Sequence, residues 1–159
     1  MNTPASNDEF DVSNKLLSEI ESAYMETDGD KFRILDIGCG TGRYHQELDE
    51  FSKNLGDREI EIIGIDKNIH SLKHAIFETE YDFYGPRKHR RKKDVECIGH
   101  ELSQENLPLK DDSVDFACSR AVSHLVKNYR SVEDWEQVKE EAERVLKEGG
   151  RQLNYTTLY

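Results

Sequence analysis

Two acids and three glycines raise the first chemical question in this chain. Asp36 follows Ile34 and Leu35, and Gly38, Gly40 and Gly42 follow it at alternate positions. Asp66 ends the isoleucine-rich run 59–66 and stands 24 residues past Gly42, counting from position 42 to position 66. Glycines let a backbone turn sharply, visit positive φ and receive a ligand close to the main chain. A helix starting after such a turn directs its free amides and the positive end of its dipole at that ligand. A pyrophosphate fingerprint reads G-x-G-x-x-G. Here Arg43 occupies the third glycine's place, and the third glycine comes one residue early. A carboxylate at Asp36 would repel pyrophosphate and attract an ammonium or sulfonium, directly or through water. An acid about 20 residues beyond the turn suits ribose hydroxyls. The implied ligand has a ribose and a positive charge and does not require phosphate.

Fewer residues elsewhere suggest chemistry. Cys39, Cys97 and Cys118 are scattered, odd in number and never spaced C-x-x-C. Neither a disulfide framework nor a metal site is expected, and the compartment reads as reducing and cytoplasmic. Cys39 and Cys118 read as small core fillers rather than nucleophiles. The run Pro86–Lys93 holds Arg87, Lys88, Arg90, Arg91, Lys92 and Lys93, a basic island in a chain of net charge −11. It could bind nucleic acid or a phosphorylated substrate. A solvated loop is the preferred reading, because no aromatic interleaves the run to stack bases.

These residues need strands to aim them. Residues 33–38, 59–66, 94–102, 113–119 and 151–159 read as five strands, and the segments between several of them have helical spacing. Residues 11–26 place Val12, Leu16, Leu17, Ile20, Ala23 and Tyr24 on one face. Residues 41–51 align Tyr44, Leu48 and Phe51, and Gly56 closes that helix. Residues 68–83 begin with Asn68 as a cap and stripe Ile69, Leu72 and Ile76. Residues 131–150 give the clearest helix: Ser131 caps it, Trp135, Val138, Ala142, Val145 and Leu146 face inward, and Gly149 stops it. Strands alternating with helices predict a parallel, doubly wound α/β sheet with helices on both faces and ligands outside the strands' carboxyl ends. The glycine turn lies at such an end.

At 159 residues the chain suits one domain. Residues 1–11, polar and acidic, read as a disordered lead-in rather than a signal peptide, and residues 12–159 as the domain. No apolar run approaches the ~20 residues of a membrane span. The acidic balance opposes general nucleic-acid binding.

The order "ILDIGCGTG", "IIGIDKN", "LPLKDDSVDFACS", "AVSHL", "ERVLKEGG" resembles the class I S-adenosylmethionine-dependent methyltransferases. The likeness covers roughly residues 34–154. It implies a Rossmann-like fold, S-adenosyl-L-methionine as cofactor, and methyl transfer to an acceptor, with a small molecule preferred over RNA or protein. It implies that Asp36, Gly38, Cys39 and Gly40 contact the methionine part, that Asp66 takes the ribose hydroxyls, and that Lys67 and Asn68 flank the adenosine. Ser119 would line the floor near the methyl group. His124 falls where such enzymes place substrate-facing residues. It is the candidate general base, with a packing or surface histidine as the alternative.

The chain also departs from the family. In place of the usual glycine-aspartate after the third strand it has "GHELSQENLPL". Counting back from Pro108 puts Ser103 and Gln104 at the adenine, the preferred pair; counting from Gly99 puts His100 and Glu101 there. The family sheet continues into a sixth and seventh strand, but this sequence ends at Tyr159. The fifth strand is then an edge that a homodimer or partner chain would cover. A catalytically inactive, cofactor-binding or fold-only regulatory subunit is the alternative function. A nicotinamide oxidoreductase is a further rival, opposed by Arg43.

Overall fold

The structure is a computed structural model, and it describes residues 7–40, 45–67, 77–82, 85–91, 95–99, 106–120 and 132–155. In chain order the elements are α1 (Asn7–Glu26), β1 (Lys31–Ile37), α2 (His45–Lys53), β2 (Glu59–Asp66), β3 (Phe77–Asp82), β4 (Gly85–Arg91), β5 (Val95–Gly99), β6 (Val114–Arg120), α3 (Val132–Val145) and β7 (Leu146–Tyr155).

Five strands form one sheet in the order β5-β2-β1-β6-β7. All four of its pairings are parallel. Chain order reverses at β1: the next strand, β2, lies on one side of it and β6 on the other. The register sets Asp36 between Gly64 and Cys118, and Ile37 between Ile65 and Ser119. The predicted crevice therefore opens where β1 and β6 end.

Alternation along the strands divides the core. Phe32, Ile34, Ile60, Ile62, Phe116, Cys118 and Leu153 pack against Leu16, Ile20 and Ala23 of α1 and Leu48 of α2. Leu35, Ile37, Ile63, Ile65, Val114 and Ala117 pack with Trp135, Val138, Ala142 and Val145 of α3. Helices thus cover both faces, and this is the doubly wound fold. Burying each such aliphatic side chain contributes about 1.5–3 kcal/mol.

Three elements differ from the sequence reading. α1 begins at Asn7, ahead of its apolar stripe. Within the predicted helix over 68–83, residues 77–82 form a strand, and residues 86–91 of the basic run form a strand rather than a loop: β3 and β4 form an antiparallel hairpin. The cause is a change of period. Ile69, Leu72 and Ile76, which lie outside the described residues, recur at helical spacing. Residues 77–82, FETEYD, alternate with period two. Finally, the last helix stops at Val145, and Gly149, at φ 79°, lies in an irregular start to β7. A Cβ at Gly149 would stand 2.3 Å from the Glu26 carbonyl oxygen, so this stretch needs glycine to pass the end of α1.

Candidate functional site

The site is built on the strand-to-turn junction after β1. Gly38 and Gly40 adopt φ of 70° and 54°, the left-handed region that disfavours a side chain. The amides of Gly38 and Cys39 donate to the Ile65 carbonyl at 2.7 and 3.1 Å, folding the turn over the end of β2. The Gly40 amide donates to Asp66 Oδ2 at 2.9 Å. Asp66 and the glycine turn, 26 residues apart in sequence, therefore form one assembly. Around Gly40, a Cβ would meet nothing within 4 Å among the described residues.

Beneath the turn, Asp36 and His45 are both buried, each with 3% of its side chain exposed. Asp36 Oδ2 lies 3.1 Å from His45 Nε2, an ion-pair distance, yet the two atoms are poorly aligned for a hydrogen bond. Gly64 makes room for this arrangement. A Cβ there would stand 2.7 Å from Cys39 Sγ and 3.2 Å from His45 Cε1. Cys39 is buried and not in a disulfide.

Ser119, at the end of β6, is fully buried, and its hydroxyl donates to Asn154 Oδ1 of β7 at 2.8 Å. Lys67 is exposed directly after Asp66. Among the residues expected at the site, the structure gathers Asp36, Gly38, Cys39, Gly40 and Asp66 around one turn. Strand register sets Ser119 beside Ile37. Gly42, Tyr44, Asn68, His100, Glu101, Ser103, Gln104 and His124 lie outside the described residues.

Sequence reasoning passed over His45, Gly64 and Asn154. Two of them carried a signal. A glycine inside a strand marks close approach of another group, and Gly64 is such a glycine. His45 stands three residues before Leu48 and seven before Ser52, so the helix repeat places all three on one face; all three are buried. That face is rotated from the expected line of Tyr44, Leu48 and Phe51.

Residues 35–153 match a family model described as a methyltransferase domain, and the chain belongs to that family. Its cofactor is accordingly S-adenosylmethionine. No curated protein sequence matches the chain significantly. Solved structures do. An S-adenosylmethionine-dependent methyltransferase from Mesorhizobium loti shares 21% identity at a TM-score of 0.60, covering 94% of this chain and 53% of that one. Loganic acid methyltransferase with SAH shares 15% at 0.62, covering 90% and 51%. A chain of the Haloferax volcanii complex that contains the Trm112 methyltransferase activator shares 20% at 0.53, covering 94% and 59%. At these identities the likeness is one of fold. The chain spans between half and three fifths of the length of these proteins.

The described residues fit the cofactor. At Gly40 a side chain would meet none of the described residues within 4 Å, and Asp66 lies beside the turn, its Oδ2 accepting from the Gly40 amide. Among the described residues, no helix is long and apolar enough to cross a membrane, and no group of three or more His, Cys, Asp or Glu is placed to hold a metal ion.

Proposed function

We propose that the chain is an active S-adenosylmethionine-dependent methyltransferase whose acceptor is a small molecule. The observation that supports the cofactor part of this reading is the Asp66–Gly40 hydrogen bond, because it joins the acid we assign to the ribose to the glycine turn at the reversal point of the sheet.

When bound, the cofactor supplies an electrophilic methyl group: a bond forms from the acceptor's nucleophile to the methyl carbon, the carbon–sulfur bond breaks, and its electron pair stays on sulfur. The chain's own residues bind and align. Gly38 and Gly40 let the methionine part approach the main chain, with Asp36 beneath as the negative charge facing its ammonium. Asp66 accepts from the ribose hydroxyls, with Lys67 and Asn68 beside the adenosine and Ser103 and Gln104 at the adenine. Ser119 borders the floor under the methyl group. Holding acceptor and methyl carbon in line supplies much of the acceleration. An acceptor that must lose a proton needs a base, and His124 is our candidate.

Calorimetric titration with S-adenosylmethionine, S-adenosylhomocysteine and NAD, repeated on Asp66→Ala, tests the reading. Binding of the two sulfur ligands alone, lost in the variant, supports it. Binding of NAD alone, or of none, would sink it. Turnover of a panel of small-molecule acceptors then separates an enzyme from an inactive, cofactor-binding subunit. β7 is an edge of the five-stranded sheet. With the likeness to a chain from a Trm112 complex, that edge favours testing the protein both alone, as a homodimer, and with a partner chain.

A further inference from the structure

We infer that His45 is a positioning residue for Asp36, and that it sets how tightly this protein holds the amino-acid end of its cofactor. The inference rests on the cofactor reading above. Asp36 ends β1 just before the glycine turn, and His45 opens α2 just after it. Their contact therefore ties the two ends of the glycine segment together. The imidazole also packs toward Gly64 of β2, where a Cβ would stand 3.2 Å from Cε1. One ring thus touches the end of β1, the middle of β2 and the start of α2. Its place sets where the Asp36 carboxylate lies beneath the turn.

The electrostatics point the same way. A carboxylate with 3% exposure needs a cation or good donors. Among the described residues, His45 is the basic group within 4 Å of it. That contact is incomplete: neither Asp36 Oδ2 nor either His45 nitrogen has a hydrogen-bond partner among the described residues. Asp36 therefore keeps acceptor capacity that its neighbour leaves unused, directly under the turn. A ligand ammonium, directly or through water, supplies the missing donor. A ligand without that ammonium gains nothing from the pair.

Two ligands separate this role from a merely structural one: S-adenosylhomocysteine, and 5′-methylthioadenosine, which has the same nucleoside and sulfur but no amino acid. His45→Leu should weaken S-adenosylhomocysteine binding about tenfold, the scale of one charged hydrogen bond, and leave 5′-methylthioadenosine unchanged. His45→Gln, which restores a side-chain N–H donor, should recover most of the loss. Equal weakening of both ligands, no weakening of either, or no recovery with glutamine would overturn the inference while leaving the cofactor reading intact. Failure of the wild-type protein to bind S-adenosylhomocysteine would overturn both. Should the leucine variant not fold, the ring-nitrogen resonances of His45 in the wild-type protein decide. They should shift on adding S-adenosylhomocysteine and not 5′-methylthioadenosine; a shift with neither, or alike with both, overturns the inference.

Discussion

Asp115 Oδ1 accepts a 2.9 Å hydrogen bond from Arg58 Nη2, although the aspartate side chain is completely buried. Lys147 Nζ reaches the same oxygen at 2.9 Å, and the Arg33 amide donates to Oδ2 at 2.7 Å. The arginine also donates to the carbonyls of Tyr24, Thr27, Asp28 and Lys31 and stacks over the rings of Tyr24 and Phe32. This cluster lies toward the amino ends of the strands, away from the glycine turn. Removing Asp115 leaves the Arg58 and Lys147 charges without their shared carboxylate. Asp115→Ala should destabilise the fold by about 3–5 kcal/mol, read from urea unfolding. Below the transition, the affinity of the folded protein for S-adenosylhomocysteine should not change.

Gly64 is the tightest steric test of the site. Gly64→Ala should cost about 1–3 kcal/mol through overpacking against Cys39 and His45 and should also weaken S-adenosylhomocysteine binding. Thermal unfolding and titration of one sample check both. Full affinity in a destabilised variant would show that the turn does not depend on this contact.

Asp66→Asn keeps the shape of the side chain and removes its charge. Cofactor affinity should fall about ten- to hundredfold, the range for hydrogen bonds to a charged group, while the unfolding midpoint moves little. Isothermal titration with S-adenosylhomocysteine measures the first and circular dichroism the second.

A pH-dependent contribution lies on α3. Arg144 donates to both carboxylate oxygens of Glu141 and to the carbonyls of Leu107 and Leu109, and it pairs with Asp111. The guanidinium holds the Glu141 carboxyl below its ordinary value of 4.5, and these carboxylates push the guanidinium's own value up. The glutamate releases its proton more readily folded than unfolded. Its stabilisation is therefore present above the unfolded value and is lost as pH falls through the lower, folded one. Unfolding free energy should drop below about pH 4.5 in the wild type, and that drop should be shallower in Arg144→Gln. Parallel curves would rule the pair out as a source of acid sensitivity.

The β3–β4 hairpin bears on the basic run. Its register sets Glu78 opposite Arg90 and Glu80 opposite Lys88. By backbone register, acids thus stand opposite two of the six cations, and opposite charges at paired positions attract across strands. The expected result is no steeply salt-dependent RNA binding, measured by fluorescence anisotropy at low and moderate salt. A strong loss of affinity with salt, abolished by neutralising Arg90 and Arg91, would reverse this reading.

The parallel sheet was legible because its strands are short apolar runs bounded by charged or turn residues. Ile34–Ile37 and Ile62–Ile65 carry that pattern with little competition. The hairpin was not, because helical spacing through Ile76 runs without punctuation into the period-two segment at Phe77. The glycine turn and Asp66 were legible as types at a spacing, but the hydrogen bond that joins them was not. The Asp36–His45 contact lies further beyond sequence reading. Nine positions separate the two residues, across a strand end, a turn and a helix start, and no residue pattern marks their contact.

The parallel arrangement of β1 and β6 gives the two ends of the sheet different work. The buried charges around Asp115 secure one end and the open turn occupies the other. A lineage could therefore erode the turn, or reshape whatever approaches it, and still keep a chain that folds and persists in the cell. For proteins built this way, abundance and solubility are poor guides to whether the chemistry survives. Inheritance of the scaffold and inheritance of the reaction are separate events.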